Sequence, residues 1–437
     1  MIDPPQAAPL RRVVGGAGLG LNIVNLTIAA GIFGLPAIIA GMLGSQAILA
    51  YLVCAVLFGL VGLSLAESGS RVGGAGGLYA YASVPFGPIV GGIAGTLLWV
   101  ASGAVADAAI ASLMADTLGA VFPFLSQPWA RSAVMLVVFA GVAMINIRGV
   151  TYGLRLSITL TVIKIAPLVL LVVVGMFYID PTRLAWTDTP SLASIGAASV
   201  VLFYAFFGFE SALSMSSEII QPSRTVPRGI LVGLLIIAAL YIGLQVVAQG
   251  TMGAALVNSK TPLVDVARLT FGAWGGHLMV LAVVISTSGC IAADQLATPR
   301  VLHAFAQQGQ LPRPIAAIHP KFGTPAVAIG VYATICAALA LSGTFRQLST
   351  MASAGTLILY LICCLGVLRL RARGVVSEGA AFRVPFGPVI PLCACAIILW
   401  MLSTLTSREL WTALVFVVLV GGAYAVHELR RQRPKIR

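Results

Sequence analysis

Charge is the scarcest property of this 437-residue sequence: Asp, Glu, Lys and Arg together make up 9% of it. An ordinary soluble domain carries about 25%. So few charges cannot coat a globular surface, which excludes the common soluble classes. The marks of an enzyme are missing as well. There is no HExxH, no phosphate-cradling P-loop and no Ser/His/Asp set. The four histidines, His277, His303, His319 and His427, fall near the ends of apolar runs or in loops. The seven cysteines are odd in number, lie inside apolar runs and form no CxxC or Cys/His cluster. They read as small buried hydrophobes, so neither a metal nor a cofactor is expected. Without an ATP-binding motif, any pumping has to run on a gradient or by exchange. Met1 to Leu10 is short and proline-containing, with no small-residue cleavage site after a short apolar core. The first apolar segment is therefore expected to remain as a span.

What is abundant is apolar length. Hydrophobic residues are 59% of the chain, the mean hydropathy is +1.02, and there are 47 glycines. Stretches long enough to cross a bilayer, about 20 residues each, are expected at 16–40, 46–66, 88–117, 131–147, 154–178, 193–217, 229–250, 274–304, 325–342, 349–370, 387–406 and 409–427. That is an all-α polytopic membrane protein of about 12 transmembrane helices in one membrane domain, 16–427. A cytoplasmic tail, 1–15, precedes it and a basic tail, 428–437, follows. With both termini in the cytoplasm, nineteen of the 26 Lys and Arg fall on the inner side and six on the outer, leaving Lys164 inside a span. That bias obeys the positive-inside rule. It also accounts for the net charge of +13 through lipid headgroups rather than nucleic acid. Channel and receptor readings find no selectivity-filter motif and no large extramembrane module.

Two spans carry the functional signal. The first reads Asn25-Leu-Thr-Ile-Ala-Ala-Gly31-Ile-Phe-Gly34-Leu-Pro36, and the sixth Phe203-Tyr-Ala-Phe-Phe-Gly208-Phe-Glu210. Each places glycine mid-span, five spans apart. Glycine-interrupted spans at matching places in two halves point to a carrier's midplane site. Unwound backbone there exposes N–H and C=O groups that hydrocarbon cannot satisfy. A substrate carboxylate can accept from the freed N–H groups, and its ammonium can donate to the freed carbonyls. The plainer alternative is that these glycines only let helices pack closely.

With these residues the sequence resembles the amino acid–polyamine–organocation superfamily of permeases. The two spans are similar to that family's G-S/A-G-I-F-G-L-P and A-F-x-G-F/V-E-S/A patterns. Further matches are Glu218-Ile-Ile-Gln-Pro-Ser-Arg224-Thr-Val-Pro227, Gly76-Gly-Leu-Tyr79, Thr298-Pro-Arg300, His319-Pro-Lys-Phe-Gly-Thr-Pro325 and Phe382-Arg-Val-Pro-Phe-Gly-Pro388. They cover nearly the whole chain. The resemblance implies a 5+5 inverted-repeat core, about 16–178 and 193–370, with helices 1 and 6 broken, plus two C-terminal helices at about 387–427. It implies an amino acid permease of the cell membrane, a monomer or homodimer, with an exchanger of amino acids, amines or polyamines as the alternative. It also implies that the amides of Ala30 and Gly31 receive the substrate carboxylate and the carbonyls of Thr27, Tyr204 and Phe207 its ammonium. One departure is Ala29, where the family usually has glycine, and this restricts the backbone.

Ionisable groups within spans are functional hypotheses by default. Lys164 sits about 16 Å of helix rise into the fifth span. In proton-coupled relatives a lysine there takes the place of a sodium ion, so the resemblance implies a proton-coupled, sodium-independent carrier. The alternative is a permanently charged lysine that holds span one. Glu210 follows the break in span six, either sensing protons and gating or capping the broken helix. Asp294 in span eight has three readings: selecting a cationic side chain, accepting a proton, or pairing with another helix. Asp107 in span three shares them, with the structural one ahead. The span-three glutamate typical of cationic amino acid carriers aligns with Ala101, which points the other way on substrate charge.

Overall fold

A computed structural model describes residues 15–72, 77–148, 154–186, 189–210, 221–307, 309–376 and 382–432. Most of the N-terminal tail, the last five residues of the basic tail, Gly76 and the 211–220 stretch lie outside them. The last of these holds the second half of the sixth span and the Glu218 end of its following motif.

Among the described residues every regular element is helical. In chain order the α-helices are α1 (Gly16–Thr27), α2 (Leu35–Leu43), α3 (Ile48–Val72), α4 (Gly77–Phe86), α5 (Pro88–Leu97) and α6 (Ala106–Val121). They continue with α7 (Pro128–Ile147), α8 (Leu154–Gly175), α9 (Leu192–Phe203), α10 (Pro222–Met252) and α11 (Pro262–Phe271). The last five are α12 (Ala273–Gln307), α13 (Ala326–Ser342), α14 (Phe345–Ala372), α15 (Val389–Ser403) and α16 (Ser407–Gln432). Helix is the form that satisfies every backbone group without water. Several starts are written locally: proline occupies the first turn of α2, α5, α7, α10 and α11, where its missing N–H costs nothing. The start of α14 carries a Thr344/Gln347 capping box.

Among the described residues, seven stretches are long and apolar enough to cross a membrane: Ile48–Val72, Pro88–Val121, Pro128–Ile147, Arg224–Asn258, Ala273–Gln307, Phe345–Ala372 and Ser407–Val426. Five shorter apolar helices accompany them, at Leu35–Gln46, Lys164–Tyr178, Leu192–Phe203, Ala326–Ser342 and Val389–Ser403. Most expected spans overlap these segments. The first, 16–40, is divided between α1 and Leu35–Gln46, and the fifth, 154–178, shows its apolar segment from Lys164. The sixth, 193–217, is helical over Leu192–Phe203 and runs beyond the described residues after 210. The main additions are α4 and α11, each 10 residues long. At 1.5 Å per residue they are too short to cross a bilayer. Of the cysteines, Cys393 is exposed rather than buried. An outward apolar face meets lipid in a membrane protein, so hydrophobicity alone does not place a residue inside.

The broken first span is splinted by α10. Gly16 of α1 lies against Thr225 and Arg228 of α10, and Gly20 lies against Gly229 and Val232. A Cβ on Gly233 would meet Ile23 at 2.7 Å, and one on Gly229 would meet Leu19 at the same distance. These are small-xxx-small faces that bring two backbones together. The same four-residue stripe of α10 continues upward. The Tyr241 hydroxyl reaches the break, Gln245 donates to the Pro36 carbonyl at 3.4 Å, and Gln249 donates to the Gly44 carbonyl at 2.5 Å. Residues 229, 233, 241, 245 and 249 thus hold both halves of one broken span along one face of a neighbour.

Away from the break, one end of the bundle is tied by Glu67, which is fully buried. Arg71 donates to its carboxylate at 2.8 Å, Arg371 grips it with two nitrogens at 2.8 and 2.5 Å, and the Val384 amide adds a bond at 2.9 Å. Helices α3 and α14 and the 382–384 strand of loop are joined through one carboxylate.

Candidate functional site

The first span leaves the helix at Ile28 and Ala29. Ala29 is fully extended (φ −106°, ψ −174°), and the chain then turns through a short 3-10 segment, Ala30–Phe33, into α2. The sixth leaves it after Phe203, passes through turns, and has Gly208 at φ +105°. Only glycine suits Gly208: beyond the positive φ, a Cβ there would lie 2.8 Å from the Leu26 carbonyl oxygen. The two breaks therefore touch through backbone. Gly31 is equally tight, with the Tyr204 ring 2.7 Å from where its Cβ would stand. Gly34 is walled by Leu113 and Phe345.

Freed backbone groups of both breaks converge here. The Tyr241 hydroxyl lies 3.2 Å from the Thr27 carbonyl and 3.0 Å from the Ala205 carbonyl, and so bridges the breaks. Thr27 also accepts from the Ala29 amide at 2.8 Å. The N-terminal end of the 3-10 segment presents the amides of Ala30 and Gly31, the end of a helix that favours an anion. The Cys290 thiol of α12 lies against the Ala30 amide.

Each ionisable residue singled out in the sequence is placed around this junction. Lys164 of α8 donates from Nζ to the Asn25 carbonyl at 2.5 Å, one of the last carbonyls of α1. Glu210 accepts from the Gly208 amide at 2.8 Å and from the Tyr360 hydroxyl of α14 at 2.7 Å. Tyr204 donates to the Ala106 carbonyl at 2.7 Å and packs edge-on against Phe207 and Phe345, with centroids 5.2 and 5.8 Å apart. Asp107 follows Ala106, is fully buried and accepts from the Tyr332 hydroxyl at 3.0 Å. Asp294 lies against Asp107, on the α12 face that also carries Thr287 and Cys290.

Ala101 sits in a π-helical stretch, Leu98–Val105, between α5 and α6. Its Cβ lies 2.4 Å from where a Cβ on Gly355 of α14 would stand. Ala101 is buried there, in close packing between this stretch and α14.

Three tyrosines escaped the sequence reading: Tyr241, Tyr332 and Tyr360. A tyrosine in an apolar span carries no local mark, because its role is set by which helix lies opposite. The signal for Tyr241 was its step of eight residues from Gly233 along the glycine-bearing face of α10.

A chain built of apolar helices, with the break in its first span set against the turns that end α9, is a polytopic membrane transporter. Comparison with known proteins specifies the class: the model of the amino acid permease family matches residues 19–424. This chain belongs to the amino acid permease family. It is 26% identical to the serine/threonine exchanger SteT of Bacillus subtilis, over 94% of this chain and 95% of that one. It is 27% identical to the branched-chain amino acid permease BcaP of Lactococcus lactis, over 94% and 93%. It is 24% identical to the methylthioribose transporter of Bacillus subtilis, over 95% and 93%. These relatives are transporters, not enzymes.

Proposed function

We propose that this protein is a secondary carrier that moves amino acids across the cell membrane, coupled to protons and independent of sodium, with both termini cytoplasmic. The observation that carries the reading is the meeting of a freed amide end at Ala30–Gly31 with freed carbonyls at Thr27 and Ala205. An α-amino acid is the small molecule that presents an anion and a cation one carbon apart, matching those two backbone ends. The Tyr204 ring stands against Gly31 and packs on Phe207, and in this reading Asp294 supplies the acid toward the substrate side chain. The inverted repeats, 16–178 and 193–370, are the parts that rock against each other in such a carrier.

Proton coupling rests on Lys164. Its ammonium at the Asn25 carbonyl occupies ground where a small cation would otherwise be held by span one, and loss of its proton would release the α1–α8 contact. The second reading is exchange without coupling, in which Lys164 keeps its charge and serves as a tether. Its support is that one relative is an exchanger.

The test of the substrate class is thermal stabilisation of the purified protein by an amino acid and by its decarboxylated amine. A bound ligand stabilises the state it binds. The amino acid stabilises and the amine does not, because only the first has a carboxylate for Ala30 and Gly31. Equal stabilisation by the two overturns the assignment and favours a polyamine carrier.

A further inference from the structure

Two acids are neighbours inside the bundle, one fully buried and the other partly exposed. Asp107 of α6 is fully buried. Its Oδ2 accepts from Tyr332, while its Oδ1 is buried and has no hydrogen-bond partner. Asp294 of α12 stands within hydrogen-bonding reach of it. Among the described residues neither acid has an ion-pair partner. The other titratable groups facing them are Tyr332 and Cys336 from α13, Tyr204 from the turn after α9, Cys290 on α12 itself, and Glu210 beyond the break. Lys164 faces Cys290 from α8, with its Nζ on the Asn25 carbonyl.

We propose that Asp107 and Asp294 hold one proton between them, forming a proton-binding site separate from Lys164. Two carboxylates held together, one of them fully buried, gain by sharing one proton: the protonated carboxyl donates to the ionised one. The pair then carries a single negative charge, and Asp107 Oδ1 gains the partner it otherwise lacks. The Tyr332 hydroxyl donates to the same pair and steadies the remaining charge. Separation of α6 from α12 during the transport cycle would leave each acid to titrate alone, and the proton would pass to whichever side then admits water. The site draws on the same broken-helix junction as the carrier reading, but requires neither Lys164 nor an amino acid substrate.

The experiment is infrared spectroscopy of the full chain in lipid vesicles at neutral pH, reading the carboxylic-acid C=O band that shifts on deuteration. It is done in a Glu210→Gln background, which removes the other buried acid at the junction. The expected result is a loss of one carboxylic-acid equivalent in Asp294→Asn, the same loss in Asp107→Asn, and no further loss in the double variant. Tyr332→Phe keeps the band. A band retained in either single variant means that the acids are protonated independently, and a band lost in Tyr332→Phe assigns the proton to the tyrosine contact; either overturns the proposal. So does a background protein with no such band. If Asp107→Asn does not fold, Asp294→Asn and Tyr332→Phe decide the matter alone. Because the readout involves no transport, a failure of proton-driven uptake leaves this result standing, and the reverse holds too.

Discussion

The Tyr241 hydroxyl lies 3.2 Å from the carbonyl oxygen of Thr27, a residue placed in the sequence as a receiver of the substrate ammonium. That carbonyl also accepts from the Ala29 amide, and the one tyrosyl proton is shared between it and the nearer Ala205 carbonyl at 3.0 Å. In the proposed site an ammonium would reach Thr27 by displacing the tyrosine. The hydroxyl joins the two breaks.

Tyr241→Phe removes that bridge. The Ala205 carbonyl loses its hydroxyl donor inside the membrane, which costs about 1–3 kcal/mol for a buried group left unsatisfied, whereas Thr27 keeps the Ala29 amide. The variant is expected to unfold at lower temperature without ligand, and to gain more than the parent from a stabilising amino acid, since the substrate ammonium no longer competes with a hydroxyl. An unaltered melting curve together with an unaltered ligand shift would show that the bridge carries no weight.

Gly31→Val is expected to insert into the membrane and to lose substrate binding. A valine places a branched Cβ where the Tyr204 ring already stands 2.7 Å away. The ring is itself tied to the Ala106 carbonyl at 2.7 Å. The break opens by a local shift, and the amides of Ala30 and Gly31 leave their register. Binding measured by thermal stabilisation at parental affinity would refute the role given to these amides.

Lys164→Ala is expected to abolish uptake driven by a pH gradient while leaving the protein folded. The ammonium is the group that joins α8 to the end of α1, and alanine cannot take or release a proton. Counterflow in proteoliposomes, with and without a pH gradient and with sodium replaced by a larger cation, makes the measurement. Full pH-driven uptake by the variant, or parental uptake that needs sodium and ignores pH, removes the coupling proposal.

Glu67→Gln is expected to destabilise the protein by roughly 3–5 kcal/mol, the cost of breaking a buried ion pair on one side. Arg71 is 5% exposed and Arg371 19% exposed, so both guanidinium groups are left with an uncompensated charge away from water. Restoring the parental melting point by neutralising both arginines as well would attribute the effect to stranded charge. A melting point unchanged by Glu67→Gln would show that the cluster does not hold α3 to α14.

Much of this architecture was legible without coordinates, for an identifiable reason. Helix is the form an apolar span takes in lipid, and span length is set by bilayer thickness, so counting apolar residues located Ile48–Val72, Ala273–Gln307 and Phe345–Ala372 to within a few positions. The breaks were legible too, because Gly31, Gly34 and Gly208 stand where a side chain would meet another helix. Glu67 could have been noticed by its four-residue spacing from Arg71, but its second partner, Arg371, lies 304 residues away.

What the order of residues determined, then, is what depends on one helix and its solvent: the class, most of the spans and the glycine breaks. The tertiary structure decided the partners. Tyr241 on Thr27, Tyr360 on Glu210 and Tyr332 on Asp107 join residues 214, 150 and 225 positions apart. A hydroxyl's choice of acceptor depends on which helix packs beside it. That packing is settled by the fit of whole surfaces, such as the glycine faces of α1 and α10, and no local pattern encodes it.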